Sequence, residues 1–121
     1  MGKILCFIYD DMADFEMTLP GTAISWLKKE LVTIAYKNKA VQSRPGFKYL
    51  PHATVKEALD FDDIDGLIIP GGWGDEQKTE LTELIQKLNK GDKMLAAICA
   101  GPKFLARAGV LNDKKYTTTL T

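Results

Sequence analysis

Apolar residues along this chain fall into short unbroken runs and stripes at helical spacing, and the two kinds alternate. Lys3 to Tyr9 (KILCFIY) is nearly continuous and ends in Asp10-Asp11, the pattern of a strand buried on both faces, central in a parallel sheet. In the DFEMTLPGTAISWLKKE that follows, Phe15, Leu19, Ala23, Trp26 and Leu27 recur at helical spacing. Pro20-Gly21 predicts a kink or a delayed start, and the helix is expected to end near Glu30. Leu31 to Tyr36 (LVTIAY) reads as a second strand. Lys37 to Lys48 carries the turn formers Asn38, Pro45 and Gly46, with a small hairpin expected around Val41. A short helix over Thr54 to Leu59 comes next.

Asp65 to Gly72 (DGLIIPGG) reads as a third buried strand running into a glycine turn. Thr79 to Gly91 predicts an amphipathic helix with Leu81, Leu84, Ile85 and Leu88 as its buried stripe and Gly91 as its stop. Lys93 to Cys99 (KMLAAIC) is a fourth strand, Ala100 to Gly109 a helix, and Tyr116 to Thr121 (YTTTLT) a fifth strand. The connections are too long for hairpins, so the alternation predicts an α/β fold with right-handed crossovers, a mainly parallel sheet and helices on both faces. Sites in such sheets form beyond the carboxyl ends of the strands. Three predicted strand ends carry suggestive chemistry: Asp10-Asp11, Gly71-Gly72 and Cys99-Ala100. The terminal YTTTLT has no following helix to cover its edge, which predicts a partner there or a chain that is a fragment.

Composition narrows the function classes. A chain of 121 residues, 45% apolar and 26% charged, fits one globular domain over residues 1–121. Sixteen basic and sixteen acidic residues cancel, which disfavours nucleic acid as a partner, since its binders usually carry a basic patch. No apolar run approaches the ~20 residues needed to span a bilayer, and no basic-then-apolar leader opens the chain. A cytoplasmic protein without membrane contact is expected. Met1-Gly2 does not make a myristoylation signal, because Cys6 stands where that motif wants Ser or Thr. The two cysteines, Cys6 and Cys99, lie far apart in apolar contexts and read as reduced thiols, not a disulfide framework. One histidine and two distant cysteines do not make a tetrahedral metal shell. The acidic pairs Asp10-Asp11, Asp62-Asp63 and Asp75-Glu76 read as solvated turns. Gly71-Gly72-Trp73-Gly74 lacks the lysine and spacing of a phosphate loop, so no metal or cofactor is expected.

The sharpest local signal is Ala97-Ile98-Cys99-Ala100-Gly101. Small residues two before and two after Cys99 suit a tight strand-to-helix turn, the logic of a nucleophile elbow with sulfur in place of oxygen. Helix N–H groups and the positive dipole end would then favour thiolate over thiol. Pro102 suits the first turn, where its missing N–H costs nothing. The competing reading is a small buried hydrophobe closing a strand.

With its surroundings, this segment resembles a known family. DGLIIPGGWG, then a helix, then AAICAGPKFLARAGVL and KKYTTT, together with the opening strand and FEMTLPGTAISWL, resemble the ThiJ/PfpI family of the class I glutamine-amidotransferase-like superfamily from Lys3 to Thr121. The resemblance implies a flavodoxin-like three-layer sandwich and a homodimer. Family members run longer at the C-terminus, so the chain is expected to lack the last part of the family domain. It also implies that Cys99 is the nucleophile and Glu16, at the start of the first helix, its partner. That carboxyl could hydrogen-bond the sulfur, shuttle a proton or hold a sulfinate after oxidation. Gly71 and Gly72 match the loop facing the cysteine, where backbone N–H groups with that of Ala100 could hold an oxyanion.

One departure shapes the functional expectation. Many hydrolytic members carry a histidine directly after the elbow cysteine or on the strand that here reads YTTTLT. This chain has Ala100 in the first place and Thr118 to Leu120 in the second, and its one histidine, His52, sits in a predicted loop. The expectation is a cysteine-dependent hydrolase, deglycase or glyoxalase-like enzyme acting on small carbonyl or amide compounds. The alternative is a non-catalytic oxidative-stress sensor or chaperone-like protein working through Cys99 oxidation.

Overall fold

A computed structural model describes residues 2–112; the expected strand over YTTTLT lies outside them. In chain order the elements are β1 (Lys3–Phe7), α1 (Phe15–Trp26), β2 (Glu30–Ala35), β3 (Val41–Gln42), β4 (Lys48–Tyr49), β5 (Ala53–Thr54), α2 (Val55–Ala58), β6 (Ile64–Ile69), α3 (Thr79–Lys90), β7 (Met94–Ala97) and α4 (Pro102–Arg107). Five strands make one sheet in the order β5-β2-β1-β6-β7, all neighbours parallel. The hairpin expected around Val41 is β3 paired antiparallel with β4.

β1 lies at the centre of the sheet, which is why its sequence is a continuous apolar run: the adjacent Cys6 and Phe7 point to opposite faces and both are buried. The chain turns from β1 to β2 on one side and reaches β6 on the other, so the order reverses beside β1. Right-handed crossovers in opposite directions place α1 on one face and α3 on the other. α2 and α4 pack against α3, and the stripe Leu81, Leu84, Ile85 and Leu88 of α3 is buried as its spacing predicts. α2 is locked at its start by a capping box, with Thr54 and Glu57 each taking the other's backbone N–H. On the α3 side, Phe104 of α4 meets Phe7 and Tyr9 edge-on at centroid distances of 5.7 and 5.3 Å, the geometry that aromatic quadrupoles favour.

α1 departs from its sequence pattern in two ways. Of the kink or delayed start expected at Pro20, the delay does not occur: the helix runs from Phe15 through Pro20, whose missing N–H deprives the Glu16 carbonyl of its i+4 donor. It also stops at Trp26 rather than near Glu30, which instead opens β2. The helical stripe itself faces solvent: Phe15, Leu19, Trp26 and Leu27 are 66–76% exposed, while the buried residues are Glu16, Met17 and Gly21. The physical reason is contact distance: Gly21 meets Leu31 of β2 so closely that a Cβ there would lie 3.0 Å from its side chain. Small and medium residues let the helix settle on the sheet, and the large apolar ones are turned outward.

Because Phe104 joins α4 to the central strand with no exposed surface, Phe104→Ala is expected to lower stability by about 3–5 kcal/mol, read as a lower midpoint in urea unfolding.

Candidate functional site

The site is built where β1, β6 and β7 end, at the reversal of strand order where open α/β sheets form their clefts. β7 ends at Ala97, and two residues later Cys99 adopts φ 54°, a left-handed conformation unusual for a residue with a side chain. Such a conformation costs on the order of 1–3 kcal/mol and persists only when its surroundings enforce it. Here Ile98 N–H donates to the Ile69 carbonyl at 3.1 Å, and Gly101 N–H closes the turn on the Ile98 carbonyl at 2.7 Å. A Cβ at Gly101 would stand 2.5 Å from the Ile69 oxygen, so only glycine lets the turn lie against β6. Pro102 then opens α4. The elbow inferred from the spacing of small residues is therefore formed, and Cys99 is exposed on it.

Glu16 reaches the same place from the first turn of α1. Its carboxyl is buried and has a partner on each oxygen: Gly71 N–H donates to Oε1 at 3.0 Å, and Cys99 Sγ donates to Oε2 at 2.6 Å. A buried carboxyl without such partners would cost several kcal/mol. A Cβ on Gly71 would fall 2.6 Å from Glu16 Oε1, 2.8 Å from the Ile98 carbonyl and 2.9 Å from Ala100 N, so this glycine lets three elements meet. Its N–H is engaged by Glu16, which leaves the N–H groups of Gly72 and Ala100 as the oxyanion candidates. Gly72 pairs with Met12 across an isolated antiparallel bridge, with Ala13 N–H on the Gly71 carbonyl at 2.8 Å and Trp73 N–H on the Asp11 carbonyl at 2.9 Å.

The electrostatics differ from those expected of the elbow alone. The Cys99 thiol is held above its ordinary value, first by its hydrogen bond to Glu16, then by burial and by the charge of the carboxylate. The carboxylate outweighs the short helix that was expected to favour thiolate, because it is in direct contact with the sulfur and carries a full charge, whereas a helix end offers about half of one. Cys6, buried in β1, is pushed up to about 12 by burial alone. Cys99 is thus the more accessible and more easily ionised of the two thiols.

The remaining candidates lie elsewhere. His52 stands before β5, at the sheet edge opposite β7, with Nδ1 accepting the Thr33 N–H at 3.0 Å; it serves the backbone there. Asp75 is tied to α4, its Oδ1 2.7 Å from Arg107 and 3.6 Å from Lys103, and Lys103 also donates to the Gly74 carbonyl at 2.6 Å. These bonds fasten the turn that carries Gly72 to the helix that follows Cys99. The sequence offered no signal for them beyond complementary charge. A cleft of about 430 Å3 opens at the ends of β1 and β2 between Tyr9, Tyr36 and Glu76, but neither Cys99 nor Glu16 lines it; the thiol chemistry sits outside this cleft. Among the described residues no cluster of His, Cys, Asp or Glu could hold a metal ion, and no helix is long and apolar enough to cross a membrane.

Comparison with known proteins places the chain in a family. The model of the DJ-1/PfpI family matches residues 2–121. A relative named deglycase TK1284, from Thermococcus kodakarensis, is 28% identical over 122 residues, covering 98% of this chain and 73% of that protein. The crystal structure of the DJ-1 superfamily protein Atu0886 from Agrobacterium tumefaciens superposes with a TM-score of 0.80 at 36% identity, over 93% of this chain and 61% of that one. Oxidized DJ-1 from Toxoplasma gondii shares the fold with a TM-score of 0.89 at 21% identity, over 98% of this chain and 67% of that one.

Because the Glu16 contact is what raises the Cys99 thiol, Glu16→Gln is expected to lower the midpoint of the pH profile for Cys99 alkylation. Iodoacetamide labelling followed peptide by peptide would measure it. A midpoint that stays or rises would show that the contact does not govern the sulfur.

Proposed function

Because this chain belongs to the DJ-1/PfpI family, we propose that it is a cysteine-dependent hydrolase, deglycase or glyoxalase-like enzyme acting on small carbonyl or amide compounds. The observation that carries this reading is the contact of Cys99 Sγ with Glu16 Oε2 at 2.6 Å on an exposed, strained elbow. The name deglycase on the Thermococcus relative supports the same class of chemistry. Cys99 is the nucleophile, and Glu16 is its general base. As sulfur attacks a carbonyl carbon, the S–H proton passes to Oε2, so no separate ionisation has to precede attack. The carbonyl oxygen gathers negative charge within reach of the Gly72 and Ala100 N–H groups. Glu16 then returns the proton, to that oxygen to give a thiohemiacetal, or to the departing amine to leave a thioester that water cleaves.

Cys99→Ser is expected to abolish turnover of a 2-oxoaldehyde or a small amide, and Glu16→Gln to lower kcat by about 10²–10⁴. Steady-state assays on the purified variants would read both, and activity unchanged in Cys99→Ser would overturn the assignment.

A second reading is favoured by one observation: the chain's single histidine stands at the far edge of the sheet, away from the sulfur that Glu16 contacts. In that reading Cys99 is an oxidation sensor, its sulfinate held against Glu16. Mild peroxide should then add two oxygens selectively to Cys99, seen by intact mass and peptide mapping. Equal oxidation of methionines before Cys99 would count against it.

A further inference from the structure

Glu16 hangs from the first turn of α1, and what orients that turn is not the helix itself. Asp14 occupies the N-cap position, where an aspartate usually accepts a backbone N–H of its own helix, yet its side chain makes no cap bond. Its Oδ2 instead accepts from Ser43 Oγ at 3.0 Å and Tyr49 OH at 2.8 Å, on β3–β4 and the turn between them. Ser43 is one of two buried polar residues in the described core, 1% exposed; the other is Glu16. A cap bond forgone and a serine buried to replace it mark a docking contact that the local sequence does not require.

Backbone bonds join the same hairpin to the β1–α1 loop. Asp11 N–H donates to the Gln42 carbonyl at 2.8 Å, Arg44 N–H to the Met12 carbonyl at 2.9 Å, and Gln42 N–H to Asp10 Oδ1 at 2.9 Å. Asp11 is held in the left-handed region, at φ 65°, between this hairpin and the Trp73 N–H of the opposite turn. The loop that aims Glu16 is thus clamped on both sides, and Asp14 is where side chains close the clamp.

We propose that the β3–β4 hairpin is a positioning device for the Cys99–Glu16 pair, with Ser43 and Tyr49 acting through Asp14 to hold the Glu16 carboxyl against the sulfur. Ser43 and Tyr49 are positioning residues, acting through their bonds to Asp14. The inference rests on the reading of Cys99 and Glu16 as the working pair, but its readout is thiol ionisation rather than turnover, so an inactive enzyme could neither mimic nor mask the result. Titratable groups of the described residues near the pair include Tyr9, whose phenol is raised by burial and by the charges of Glu16 and Cys6. Tyr9 and Cys6 stay unchanged in the variants below.

The experiment is a double-mutant cycle. The pH profile of Cys99 alkylation by iodoacetamide is measured for Tyr49→Phe, Ser43→Ala and the pair, each with Glu16 and with Glu16→Gln, and for Tyr36→Phe as a control. Tyr36 binds a different loop, through Glu76 and Lys78. With Glu16 present, the hairpin substitutions are expected to lower the midpoint by at least about 0.5 pH unit, roughly threefold in ionisation constant. In the Glu16→Gln background the shift should vanish, and Tyr36→Phe should leave the midpoint in place. A melting temperature that falls while the midpoint stays would make the hairpin merely structural and overturn the proposal. So would an equal shift in both backgrounds. If the paired variant does not fold, Tyr49→Phe alone, which removes one oxygen, decides by the same criteria.

Discussion

A carboxyl group held away from water is the constraint around which this end of the molecule is arranged. Glu16 can stay buried only if both oxygens have partners, and the partners come from distant parts of the chain: the Gly71 N–H after β6 and the Cys99 sulfur after β7. Three strand ends must therefore converge within hydrogen-bonding distance, which requires glycine at 71 and 101 and a left-handed Cys99. The strain at the elbow is sustained because the neighbouring bonds leave the turn no other conformation.

The same constraint accounts for the character of the thiol. A helix end alone would draw the sulfur toward thiolate, but a carboxylate in direct contact pushes it the other way. A carboxyl in contact with the sulfur can also accept a proton, as the proposed chemistry requires, which a dipole cannot.

α1 illustrates how this demand competes with packing. Its core-facing side carries a glutamate, a methionine and a glycine, and its large apolar residues point outward. Helices normally earn their place by burying a stripe; this one is located by a close approach at Gly21 and by polar bonds at its N-terminal end. Turning Phe15 and Leu19 inward would rotate Glu16 away from Cys99.

Much of the architecture was legible in the residues. Continuous apolar runs marked β1 and β6 because both faces of those strands are covered, and the stripe of α3 marked its buried side because that helix has water on the other. The small residues flanking Cys99 announced the elbow, since close backbone approach excludes a Cβ whatever the rest of the fold does. Glu16 was legible only through family resemblance: a glutamate in a first helical turn looks the same whether it caps a dipole or grips a thiol. The outward stripe of α1, the engagement of the Gly71 N–H, and the link from Asp14 to Ser43 and Tyr49 could not be read along the chain. The last two depend on groups 29 to 55 residues apart meeting in a particular orientation, and the first on how closely α1 approaches β2 at Gly21. Local sequence determines periodicity and permitted backbone; which oxygen meets which hydrogen across the sheet is decided only when the strands have taken their order.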